Sequence, residues 1–189
     1  MTQARSRQAS EGSPTRRHRE ADPSSERGQS PREPLLFVDI DGVISLFGFE
    51  PAAAPAGTWL NVDGVPHLIS ATASGHLLAL AHVFDVVWCS GWEDKADEHL
   101  FPALGLPVRP PFLTFSAPTS AVHWKLAAVD RHAGDRPAAW IDDAFDASCH
   151  AWAAARRAPT LLVATDPATG MTDAHVARLE RFAAGLANR

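Results

Sequence analysis

Two aspartates separated by one residue, Asp39 and Asp41, close the apolar run "LLFVDIDGV" at residues 35–43. Residues two apart on an extended chain share a face, so both carboxylates stand on one side of a strand end. Like charges so placed raise each other's pKa unless a cation offsets them. Phosphoryl transfer has a use for both: one carboxylate attacks phosphorus, and the other protonates the leaving oxygen and then deprotonates water. Other groups along the chain suit the same chemistry. "FDVVWCSG" ends an apolar run in Ser90-Gly91, a hydroxyl beside an unobstructed backbone amide. Lys125 lies in "HWKLAAV", and "AAWIDD" ends in the acidic pair Asp142-Asp143. A serine, backbone amides and a lysine can bind non-bridging oxygens as charge develops. A hard dication with oxygen ligands, Mg²⁺ foremost, can offset the acids and join nucleophile to phosphate.

Elements able to bring these groups together can be read from the hydrophobic pattern. A strand at 35–39 is followed by a Gly/Pro/Ala-rich excursion at 45–58. "TWLNVDGVPHLIS" then reads as a hairpin turning at Asp63-Gly64, a pair that favours a tight primed turn. The pattern next predicts a helix at about 74–82, a strand at 84–90, a helix at 93–101 and an extended piece near 107–115. A helix capped by Ser120 carries Lys125 in its N-terminal half. Strand 138–142, helix 146–158, strand 160–165 and a last helix at 172–186 complete the chain. Such alternation implies an α/β fold, a doubly wound parallel sheet with helices on both faces. Ligands of these sheets bind at the carboxyl ends of the strands. Asp39, Ser90, Lys125 and Asp142, separated by 51, 35 and 17 residues, all fall at that edge.

Composition narrows the classes further. The chain has 189 residues, 46% of them hydrophobic, enough for one core. Residues 1–33 hold seven arginines against five acids and few large apolar side chains, and read as a disordered Arg/Ser/Pro-rich tail. The expected domain, 34–189, carries a net charge of −7, which disfavours long duplex nucleic acid. No apolar run is long enough to span a membrane, and the N-terminus lacks the apolar core of a secretory signal. Cys89 and Cys149 form no paired metal motif, and a cytoplasmic setting is the expectation. Arginine outnumbers lysine fifteen to two, which draws attention to Lys95 and Lys125.

The ordered set "FVDIDGV", "VVWCSG", "HWKLAAV" and "WIDDAFD" resembles the four motifs of the haloacid dehalogenase (HAD) superfamily. The resemblance implies a HAD-like Rossmannoid fold over about 35–186. It implies Asp39 as nucleophile and Mg²⁺ ligand, and Asp41 as general acid/base whose backbone carbonyl also reaches the metal. Ser90 and Lys125 would hold the phosphoryl group, with Gly91 and Trp92 beside the substrate. Asp143 aligns with the family's metal aspartate, and Asp142 would be a second metal-linked acid. Dehalogenases of the superfamily lack the second aspartate of the first motif, so Asp41 marks a phosphatase. "WCSGWEDKADEHL", "WIDD" and "TDPATGMT" are similar to a small, nearly capless group associated with bacterial RNA-repair proteins. In that comparison, residues 43–73 form only a flap or hairpin. Expected partners are then a phosphorylated small molecule, a nucleotide or a nucleic-acid end.

Each residue also has a plainer role. Asp39 and Asp41 can be turn acids, Ser90 a helix cap, and Lys125 a helix-surface residue. Asp146 is a better cap for its helix than Asp142 or Asp143. Trp92, Phe47, Phe49 and Trp59 can stack on a base or simply pack a lid against the core. His67, His99 and His123 read as surface or core histidines, Cys89 as a packed thiol, and Lys95 as a partner for a nearby acid. A non-catalytic binding module of the same fold is the rival reading, as is an RNA-end processing protein working within an assembly.

Overall fold

A computed structural model describes residues 33–116 and 122–188. Four short strands form a parallel sheet: β1 (Leu35–Val38), β5 (Asp85–Trp88), β6 (Ala138–Asp142) and β7 (Thr160–Ala164). Their order is β5-β1-β6-β7, so the chain leaves β1 toward one edge and later crosses back to build the other. That reversal opens a crevice at the carboxyl ends of β1 and β6. β1 is buried along its whole length, which is why it reads as a continuous apolar run.

Alternate residues of β1 feed two cores. Leu36 and Val38 pack with helices α1 (Ala73–Leu80) and α5 (Asp173–Ala187). Leu35 and Phe37 pack with α3 (Leu126–Ala133) and α4 (Ala147–Ala155) on the other face. In α3, Leu126, Val129 and Ala133 make the buried stripe, and in α5 Val176, Leu179 and Ala183 do. Burying Phe37 completely contributes on the order of 2–3 kcal/mol to this arrangement.

Between β1 and α1 lies a second sheet, antiparallel, of β2 (Ser45–Leu46), β3 (Gly57–Val62) and β4 (Val65–Ser70) in the order β2-β4-β3. The β3–β4 hairpin turns at Asp63 and Gly64, with φ of 52° and 85°, the primed geometry the sequence implies. The third strand, β2, is an addition to the hairpin reading. Ser45 pairs with Ile69 and Leu46 with Leu68.

Three local expectations are met with differences. The helix at 93–101 is present from residue 94, but it is wound wide over Ala96–Leu100 before it continues as a short α2 (Phe101–Leu104). Phe101 N–H bonds back five residues to Ala96, and Pro102 lacks the N–H that an ordinary ladder needs there. α3 begins only at Leu126 and Lys125 is its cap residue, while just before it the His123 N–H bonds to Ser148 Oγ of α4 at 2.9 Å. Ser120, expected as the cap, lies outside the described residues, as do residues 1–32 of the tail. The extended piece near 107–115 reduces to one parallel bridge, Phe112 against Trp88, at the β5 edge.

Candidate active site

β1 delivers Asp39. Its N–H continues the β1–β6 ladder to Ile141 O at 3.0 Å, and the chain then turns sharply at Gly42, φ 72°. An L side chain would be strained there, and its Cβ would lie 2.5 Å from the Asp143 carboxyl group, so only glycine lets the two strand ends close up. Thr165, just after β7, donates to Gly42 O at 2.9 Å and pins the same turn from the far side.

Asp39 is 5% exposed and Lys125 equally buried. Lys125 Nζ reaches Asp39 Oδ2 at 2.6 Å and Asp142 Oδ2 at 2.7 Å. Asp39 Oδ1 also accepts the Ile40 N–H at 2.8 Å. Asp142 is wholly buried and further held by the Trp140 indole N–H at 3.1 Å and the Ala144 N–H at 3.0 Å. Asp143 is only half-buried, beside Gly42. Carboxylate oxygens of Asp39, Asp142 and Asp143 lie within 4.8 Å of one another.

Charge crowding marks the site. Burial, followed by the neighbouring Asp142, pushes the Asp39 carboxyl up to about 6 against the opposing pull of Lys125. Burial and then Asp142 also raise Asp143 above the ordinary carboxylate range. For Lys125, burial works against the ammonium, but Asp39 and Asp142 outweigh it and hold its pKa above the usual lysine value. One lysine thus faces three clustered acids. The donor set is all hard oxygen and in excess of its counter-charge, which fits a hard divalent cation better than a soft metal.

Asp41 stands apart from this cluster. Its side chain is 49% exposed, and Oδ2 accepts the Trp92 indole N–H at 2.9 Å. His67 Nδ1, from β4, lies 3.6 Å from Asp41 Oδ1 and within hydrogen-bond distance of Ser45 Oγ at 3.0 Å. Ser90 is buried at the neighbouring strand end, one residue beyond Cys89, whose N–H bonds to Val38 O at 2.8 Å. Gly91 follows it, facing the half-exposed Trp124, over whose ring Lys125 Nζ sits 5.2 Å from the centroid.

Residues from four separate motifs therefore meet at one edge of the sheet. Trp92 is buried in the core with its ring edge against His67. Ser45 and His67 carry no sequence signal of their own, since their roles depend on cross-strand register, whereas Trp140 shares a strand face with Asp142 two residues on. Lys95 pairs with Asp63 at the hairpin turn rather than with an acid of its own helix. Asp146 caps α4, accepting from Ser148 N–H at 2.8 Å and Cys149 N–H at 3.1 Å. "TDPATGMT" packs on the β1–β2 connection, where Met171 N–H bonds to Val43 O at 2.9 Å. A separate cavity of about 480 Å³ opens at the amino ends of β1 and β5, lined by Leu35, Leu77, Phe84 and Val87 among others, and holds none of the candidate residues. Among the described residues no helix is long and apolar enough to cross a membrane.

No curated protein matches the chain. Residues 35–176 match the family model described as the HAD domain in Swiss Army Knife RNA repair proteins. That span includes all four strands of the parallel sheet and every acid of the site. The chain belongs to this family of HAD domains, and its α/β sheet is the HAD-like Rossmannoid fold of the phosphohydrolases.

Proposed function

We propose that the protein is a Mg²⁺-dependent phosphomonoester hydrolase working through an aspartyl-phosphate on Asp39. The observation that carries this reading is the buried Asp39–Lys125–Asp142 array with Asp143 beside it. With its carboxyl near 6, Asp39 is mostly ionised at neutral pH and can act as a nucleophile. An Asp39 oxygen attacks phosphorus, the bond to the ester oxygen breaks, and Asp41 gives its proton to that oxygen so that an alcohol leaves. Asp41, now a carboxylate, takes a proton from water as the water oxygen attacks phosphorus and the bond between phosphorus and the Asp39 oxygen breaks. Inorganic phosphate departs and both aspartates return to their starting states. Lys125, Ser90 and the Gly91 amide hold the non-bridging oxygens. Asp39, Asp143 and the Asp41 backbone carbonyl are the groups that would hold Mg²⁺, with Asp142 linked to them through Lys125. The ion would offset the acids and the phosphate charge.

The family description, a domain of RNA repair proteins, supports a nucleic-acid end as the phosphomonoester. A small antiparallel sheet in place of a large cap, read as a flap over about 43–73, suits such a substrate because it leaves room for a chain end. The domain boundary near residue 34 belongs to the same reading.

The test is hydrolysis of p-nitrophenyl phosphate and of an oligoribonucleotide with a terminal phosphate, each with and without Mg²⁺, for wild type and Asp39→Asn. Mg²⁺-dependent release of phosphate that disappears in the variant is the expected result. Inertness toward both substrates, with no Mg²⁺ binding by calorimetry, would favour the non-catalytic module.

A further inference from the structure

The Asp41 carboxyl group is flanked by two residues from outside the strand-end motifs, one of them hydrogen-bonded to it. Trp92, in the loop after β5, donates its indole N–H to Oδ2 at 2.9 Å. His67, on β4 of the small sheet, stands 3.6 Å from Oδ1, its Nδ1 also engaged by Ser45 at 3.0 Å. The two rings brace each other edge to face with centroids 4.6 Å apart. Trp92 is 7% exposed, so its indole cannot swing away without opening the core. Asp41 itself is half-exposed and would otherwise be free to change rotamer.

An indole nitrogen can only donate. Oδ2 of Asp41 is therefore engaged as an acceptor, and a proton on this carboxyl group is favoured on Oδ1, because a carboxyl O–H oxygen accepts less well than a C=O oxygen. We propose that Trp92 and His67 are positioning residues for Asp41, fixing its rotamer and reserving Oδ1 for proton transfer to the leaving oxygen. The small sheet then completes the acid/base through His67 as well as covering the site. This rests on Asp41 acting as the general acid/base in the reading above. A carboxyl displaced by about 1 Å loses on the order of 100-fold in rate, so a fixed rotamer is worth holding.

The experiment separates positioning from mere packing by the leaving group. p-Nitrophenolate departs without a proton, whereas an alkoxide needs one. Trp92→Phe deletes the N–H and keeps most of the buried ring. It should lower kcat/KM, which reports the steps up to departure of the leaving group, for an alkyl phosphate such as β-glycerophosphate by roughly 10- to 100-fold, a part of what general acid catalysis supplies. The loss of kcat/KM on p-nitrophenyl phosphate should stay under about threefold, while kcat also carries the later attack of water, which both substrates share. In an Asp41→Asn background, Trp92→Phe should add nothing further. His67→Phe should show the same leaving-group bias in a smaller degree, which keeps the test open if the Trp92 variant folds poorly. Independently of activity, the Trp92 indole N–H resonance in a nitrogen-correlated NMR spectrum should move when Asp41 becomes Asn. Equal losses of kcat/KM on both substrates, additivity in the Asp41→Asn background, or an unmoved indole resonance would each overturn the positioning role alone. A wild type inert to both esters with Mg²⁺ present would overturn the phosphatase reading and this one with it.

Discussion

Asp39→Asn exchanges a buried carboxylate for a neutral group of the same shape, and its effect on stability follows from the site's charge. The Asp39 carboxyl is raised from 3.8 to about 6 in the folded protein, chiefly by burial. A carboxyl group raised on folding adds stability below its unfolded pKa, and that contribution is lost as pH rises through the folded value. Metal-free wild type should therefore weaken between about pH 4 and pH 6. At roughly 1.36 kcal/mol per pKa unit, the ionised group costs up to about 3 kcal/mol relative to its protonated form. Asparagine mimics that protonated form, and Lys125 keeps its 2.7 Å pairing with Asp142 in the variant.

In EDTA near pH 8, the Asn variant should melt higher than wild type. For a domain of this size about 2–4 °C accompanies each kcal/mol, giving a rise of roughly 6–12 °C. The two melting curves should converge as the pH approaches 4, where the wild-type carboxyl is itself neutral. Adding Mg²⁺ should reverse the order, because a ligand at 1,000 times its Kd adds about 4.1 kcal/mol to the protein that binds it, more than the burial cost of the charge. Circular dichroism melts across this pH range, with EDTA and with Mg²⁺, read all of these effects. An Asn variant less stable than wild type in EDTA near pH 8 would refute the reasoning. It would mean that losing the 2.6 Å contact with Lys125 outweighs relief of the buried charge.

Gly42→Ala should strain a backbone at φ 72° and press a methyl group into the Asp143 carboxyl, costing about 1–3 kcal/mol and weakening Mg²⁺ binding by calorimetry. Lys125→Met leaves Asp39 and Asp142 buried without their cation; a loss of about 3–5 kcal/mol is expected in urea titrations at neutral pH, shrinking as acidification neutralises the carboxylates. Cys89 is fully buried with its thiol pushed well up, and Cys149 is likewise buried with its thiol raised to about 11, both chiefly by burial. Neither should react with a thiol reagent until the protein is unfolded, so stoichiometric labelling of the native protein would contradict the packing.

Legibility tracked how local the cause was. "AAWID" reads as a buried strand and is one over Ala138–Asp142, since its residues are apolar and enclosed on both faces. Asp63-Gly64 adopts the primed turn because its preference belongs to the two residues themselves. The bond from the His123 N–H to Ser148 ahead of α3 was not legible, because the two residues lie 25 apart in sequence. Nor was β2, a two-residue strand whose partners lie more than 20 residues away on β4. At the site, the spacing of the acids and Lys125 showed which side chains could converge, since each follows or precedes a strand. Trp140 beside Asp142 follows from strand alternation, the two being two residues apart on one face, whereas His67 near Asp41 leaves no periodic trace.

Why two consecutive acids should end β6 has an answer in strand geometry. Asp142 is the last residue of the strand and shares a face with Trp140, two residues before it. That face packs with α3, so the Asp142 carboxylate meets Lys125 there, and three donors already occupy it. Asp143 lies one residue on, past the strand, and its carboxyl group rests beside Gly42. A single acid could not serve both places. With Asp142 committed to balancing Lys125 inside the protein, Asp143 is the acid left to face a cation from outside it. Lys125 in turn is fixed between Asp142 and Asp39, so its charge already stands at Asp39, the nucleophile of the proposed reaction. On this reading the pair divides one charge problem in two: one aspartate positions the lysine, and the other takes the metal.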